Sequence, residues 1–155
     1  INNKSKPLME TIKSRCIEIK LIISEKERIH NTNKLMEYFE QKTNLDINLV
    51  KTSPGNFLRY NKIFNDLDLD FEGNFLENIK SILDLFKKER NLFIKDLLLF
   101  FTDYYTQLSR LKNNIQSIKV IENRSFIVKN INDFFMYNLN QNSLINSIEN
   151  KLINE

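Results

Sequence analysis

The sequence predicts a mainly α-helical protein, and three observations carry that expectation. Only two glycines and two prolines stand among 155 residues, which leaves little room for hairpins or a β-sandwich. Leu, Ile, Phe, Lys, Glu and Asn recur at helical spacing through most of the chain. Two serines, Ser24 and Ser53, stand in the sequence contexts that begin helices. A chain of this length can bury a real core as one or two small domains. Because it opens on Ile1 rather than Met, we expect the middle of a longer protein.

Charge and composition narrow the function classes. The net charge is +3 and the isoelectric point is near 8.9, with Lys interspersed among Glu and Asp. Such a mixture reads as a solvated surface, while the basic balance leaves nucleic acid in view as a partner. The single cysteine allows no internal disulfide, which fits a reducing cytoplasm. No stretch approaches the roughly 20 apolar residues of a membrane span. A charged-then-apolar leader is not seen either. A cytoplasmic protein away from membranes is the expectation.

Taken in order, the first element is a short helix led by Pro7, whose missing N–H suits a first turn. Leu8 and Ile12 share one of its faces. Residues 17–23 then alternate, with Ile17, Ile19, Leu21 and Ile23 against Glu18, Lys20 and Ile22, and predict a strand with one mostly polar face. A lone strand needs partners this chain does not supply. Ser24 and Glu27 form the pattern of a capping box and should open a helix to about residue 41, with Ile29, Met36 and Phe39 on its apolar side. A short helix is expected over residues 45–51. Ser53 followed by Pro54 starts another helix, with Phe57, Leu58, Ile63 and Phe64 in its stripe. The acidic run at residues 66–73, ending in Gly73, is the best domain boundary.

Beyond that boundary every segment reads as helix. Phe75, Leu76, Ile79, Ile82, Leu83 and Phe86 fall on one face. Residues 92–111 are apolar almost all round, so that helix should be central to a bundle. Further helices are expected over residues 126–139, with Ile127, Ile131, Phe134 and Phe135 on the apolar side, and from a cap at Asn142 or Ser143 onward, with Leu144, Ile145, Ile148 and Leu152.

Few residues offer chemistry. Glycine stands only at 55 and 73, so no phosphate-binding Gly-x-x-x-x-Gly-Lys-Ser/Thr loop exists in the chain. His30 and Cys16 are the only residues of their kinds. His30 is expected within a helix, away from the Cys16 turn, so a nucleophile pair is disfavoured. One His and one Cys also fall short of a metal ligand set. The aromatics of residues 92–111 have few cations among them, Lys95 and Arg110, so they read as core rather than as a base-stacking platform. Spacing alone places Arg15 at an exposed helix-to-strand corner.

The run Leu8-Met9-Glu10-Thr11-Ile12-Lys13-Ser14-Arg15-Cys16 resembles the signature that precedes a strand in clamp-loader AAA+ subunits. Met9 and Glu10 depart from it, whereas Thr11, Ile12, Ser14, Arg15 and Cys16 match. The resemblance implies that Arg15, within the Ser14-Arg15-Cys16 motif, projects as an arginine finger into the nucleotide site of a neighbouring subunit. Guanidinium suits that role because it stays charged and forks onto phosphate oxygens. A second match, Thr52-Ser53-Pro54-Gly55-Asn56-Phe57-Leu58-Arg59, resembles the Gly-Ser-Pro-Gly segment that opens the third lid helix of delta-prime subunits of bacterial DNA polymerase III. In the ATP-hydrolysing relatives a sensor arginine stands where this chain has Gly55, and Arg59 one turn later is a possible substitute.

The resemblance implies three parts: residues 1–23 as the end of an AAA+ core with one or two short strands, residues 24–70 as a three-helix lid, and residues 71–155 as a helical collar for oligomerisation. It implies no activity and no cofactor for this chain alone, with ATP and Mg²⁺ held by the neighbouring subunit. The partners it implies are the gamma/tau and delta subunits, and through the complex the sliding clamp and primed DNA. An all-helical nucleic-acid-binding module, motivated by the basic isoelectric point, is the alternative.

Overall fold

The computed structural model describes Met9, Arg15 and residues 22–49, 51–71, 73–89, 91–113 and 118–153. Six helices lie among these: α1 Glu25–Tyr38, α2 Pro54–Asp66, α3 Phe75–Glu89, α4 Phe93–Asn113, α5 Ile118–Tyr137 and α6 Gln141–Ile153. No strand occurs among the described residues. The strand expected over residues 17–23 falls largely outside them. Its last two residues, Ile22 and Ile23, are described, exposed and not in a strand. The helix led by Pro7 also lies outside, apart from Met9, which is exposed.

Local chemistry sets the helix starts. Ser24 Oγ accepts from the Glu27 N–H while the Glu27 carboxylate accepts from the Ser24 N–H, so the capping box is closed in both directions. Ser53 accepts from the Asn56 N–H, and Pro54 follows it at the first helical position. The last helix begins at Gln141, so its cap stands two or three residues before the expected one. Asn140 rather than Asn142 or Ser143 closes its first turn, its Oδ1 accepting from the Asn142 N–H. The helix over the 126–139 region also starts early, at Ile118. Its first two turns carry exposed Ile118, Lys119, Ile121 and Glu122, which mix apolar and charged residues on one surface and leave no stripe to read.

The helix ends share a device that the low glycine content makes conspicuous. Glu40, Asp68 and Asn138 all take φ near +50°, at 51°, 50° and 51°. In each case the next N–H reaches back five residues: Gln41 to Met36 O, Leu69 to Phe64 O and Leu139 to Phe134 O. These are Schellman closures of α1, α2 and α5, built on residues other than glycine.

Residues 45–49 form turns rather than the short helix expected over residues 45–51. Asp46 Oδ1 accepts from both the backbone and the side-chain N–H of Asn48, and Leu49 N–H donates to Asp46 O. An aspartate that bonds the backbone two residues on favours a turn over a helix. The region 24–70 therefore holds two helices, α1 and α2, among the described residues rather than three.

Packing follows from the faces. Helix α1 pairs with α2, while α3, α4, α5 and α6 close a ring of contacts in which α4 meets α3 and α5, and α6 meets α5 and α3. Ile79, Ile82, Leu83, Ile94, Leu97, Leu98, Phe101, Ile131 and Ile148 fill this bundle with at most 1% exposure. Helix α4 is central, as its nearly continuous apolar surface predicts. Its other side meets α2 through rings: Phe64 lies 6.0 Å from both Phe100 and Phe101, and Tyr60 lies 4.6 Å from Phe100. Phe71, from the acidic run, adds edge and tilted contacts to Phe64, Phe101 and Tyr104. One apolar cluster therefore runs from Met36 in α1 to Ile148 in α6.

Candidate functional site

Arg15 is the residue on which the sequence places most weight. It sits in a turn and is exposed. Ser14 and Cys16, its companions in the motif, lie outside the described residues. His30 is exposed in the middle of α1. Arg59 is committed to a structural contact, since its guanidinium carbon stands 3.8 Å above the ring of Phe93. A cation over an aromatic face contributes on the order of 0.5–1 kcal/mol at an exposed position. That contact ties the second turn of α2 to the first turn of α4. Gly55 has open space where a Cβ would sit, so no close approach requires glycine there.

A concavity lies where the first turns of α1 and α2 come together. Ile23, Glu25, Arg28, Lys51, Thr52, Ser53 and Pro54 line an open hollow of about 360 Å³. Both capped helix starts border it, and helix N-termini carry partial positive charge. Lys51 adds a cation, and Glu25 opposes it. The Glu25 carboxyl is held below its usual range first by its hydrogen bond to Arg28 and then by the positive charges of Arg28 and Lys51.

Arg28 is the unexpected member of this group. It is 8% exposed, buried on a helix whose other inward residues are Thr32 and Met36. Its Nη2 donates to Glu25 Oε1 at 2.6 Å and to the Ile47 carbonyl at 2.9 Å, and its Nε donates to Glu25 Oε2 at 3.2 Å. Nη1 is buried without a hydrogen-bond partner. Thr32 caps this arrangement by donating its hydroxyl to the Arg28 carbonyl at 2.8 Å. The inward stripe of α1 is thus Arg28, Thr32 and Met36, whereas of the expected apolar side Ile29 is half-buried and Phe39 exposed. Apolar periodicity misses such a stripe because two of its three members are polar.

Asparagines fasten α2 in the same manner. Asn61, 1% exposed, donates to the Lys42 carbonyl at 2.9 Å and to Gln41 Oε1 at 3.2 Å. Asn65 donates to the same Lys42 carbonyl at 2.9 Å. The loop between α1 and α2 is therefore held by side chains, with the Asp46 N–H reaching across to the Tyr104 hydroxyl at 3.0 Å. No group of three or more His, Cys, Asp or Glu placed to hold a metal occurs among the described residues. None of their helices is long and apolar enough to cross a membrane. No family model matches this sequence, and no curated protein or solved structure matches it either.

Proposed function

We propose that this chain is a non-hydrolysing clamp-loader subunit that presents Arg15 to a nucleotide held by a neighbouring subunit. The reading rests on the run Thr11-Ile12-Lys13-Ser14-Arg15-Cys16, together with the exposure of Arg15 in a turn. An arginine supplied in trans stabilises charge that develops on the γ-phosphate, worth on the order of 10³–10⁵ in rate in well-studied NTPases. On this reading α1 and α2 belong to the lid, and α3 to α6 form the collar. Exposed Met136, Tyr137 and Leu139 at the end of α5 give the collar apolar surface for other subunits. ATP and Mg²⁺ belong to the neighbouring gamma/tau-type subunit, and the sliding clamp and primed DNA are reached through the cytoplasmic complex.

The test is reconstitution with clamp-loader subunits. Arg15→Ala should lower ATP turnover at the adjacent site, with DNA and clamp present, and leave assembly intact. Arg15→Lys should recover only part, because an ammonium cannot reproduce the forked contact. Turnover at the unaltered rate in Arg15→Ala, or no association of the unaltered chain with loader subunits, overturns the reading. Binding of the chain alone to DNA, with log affinity falling steeply against log salt, would instead favour an all-helical nucleic-acid-binding module.

A further inference from the structure

We draw no further inference here: the strongest candidate, the hollow between the first turns of α1 and α2 lined by Arg28, Lys51 and Ser53, offers a ligand little beyond a helix N-terminus, because the unpaired Arg28 Nη1 is sealed from solvent and the rest of that guanidinium is already held by Glu25 and the Ile47 carbonyl.

Discussion

The α1–α2 pair and the α3–α6 bundle solve the same problem with different materials. In the bundle, apolar helix faces meet and close over Ile79, Leu83, Leu97, Leu98, Ile131 and Ile148. Burial of this kind is non-directional and scales with area, so many substitutions of similar volume are tolerated. In the pair, Arg28, Thr32 and Asn61 are buried and each is spent on a directed bond to a carbonyl. Such bonds add little net stability when made but cost about 1–3 kcal/mol when one partner is removed. The difference teaches that one chain can hold an area-driven unit and a geometry-driven unit side by side. Phe64, Phe71, Phe100 and Phe101 join them, and Leu67, Leu69 and Phe71 of the acidic run pack against the same cluster.

The largest effect should come from breaking that joint. Phe101 is fully buried and its ring meets Phe64, Phe71, Phe75 and Tyr105. Phe101→Ala should cost about 3–5 kcal/mol in denaturant unfolding. It should also lower both regions together, in one transition. Separate transitions for α1–α2 and for the bundle in the unaltered protein would show that the joint couples them weakly.

Next in size is the polar side of the contrast. Arg28→Ala should cost about 1–3 kcal/mol, because it strips a donor from the Ile47 carbonyl and leaves a gap against α2. Arg28→Met should cost less than Arg28→Ala, since it keeps the aliphatic stem and removes the orphaned Nη1. If both variants unfold at the same denaturant concentration as the parent, the directed-bond account of α1 is wrong.

A smaller effect of opposite sign is expected at the helix ends. Glu40 and Asp68 hold φ of 51° and 50°, where an L-residue is strained by about 1–2 kcal/mol and glycine is not. Glu40→Gly and Asp68→Gly should each stabilise by roughly 0.5–1 kcal/mol, the remainder being lost to glycine's freedom in the unfolded chain. A lowered melting temperature in either variant would argue that the carboxylate side chain contributes more than the backbone strain takes away.

The smallest changes should appear on titration, with opposite signs in the two places. Glu27 titrates below its ordinary 4.5 because the Ser24 hydroxyl and then the Ser24 N–H bond its carboxylate. A depressed folded value means stability present above pH 4.5 that is lost as pH falls through the lowered value. Helix α1 should therefore fray first in acid, followed by amide exchange at Glu27. Tyr60 titrates above its ordinary 10.0, chiefly through burial and then through the nearby Asp96 charge. Its contribution is complete below pH 10.0 and is lost as pH rises through the raised value, which should loosen α2 from α4 in base. Ultraviolet titration of a Tyr60→Phe variant against the parent checks the second half.

Legibility in the sequence follows the range of the interactions. Ser24 with Glu27, and Ser53 with Pro54, were readable because cap and partner sit within one turn. The all-round apolar surface of α4 was readable because burial on every side leaves a compositional mark. Arg28 was not, since its burial depends on the Ile47 carbonyl, 19 residues away. The true start of α5 was hidden by exposed Ile118 and Ile121 among charges. Asn140, Asn142 and Ser143 are all competent caps, and only the fold of the preceding turn selects the first. For the candidate site, the converging starts of α1 and α2 were each legible, but no local pattern announces that they meet around a hollow. Arg15 was singled out by the resemblance of its neighbours, which is a different kind of information from spacing.

The bond from the Asp46 N–H to the Tyr104 hydroxyl joins residues 58 apart in the chain. Its consequence is one of timing. A contact that spans such a loop must wait for the chain entropy of closure to be met, whereas the turns of α4 form in about a microsecond. The Asp46 amide therefore has no partner until α4 is in place, and this one contact of the segment between α1 and α2 should be made late on the folding route. Pulse-labelled exchange should find the Asp46 amide gaining protection after the amides of α4, and the Tyr104→Phe variant should erase that protection while leaving the folding rate of the bundle nearly unchanged.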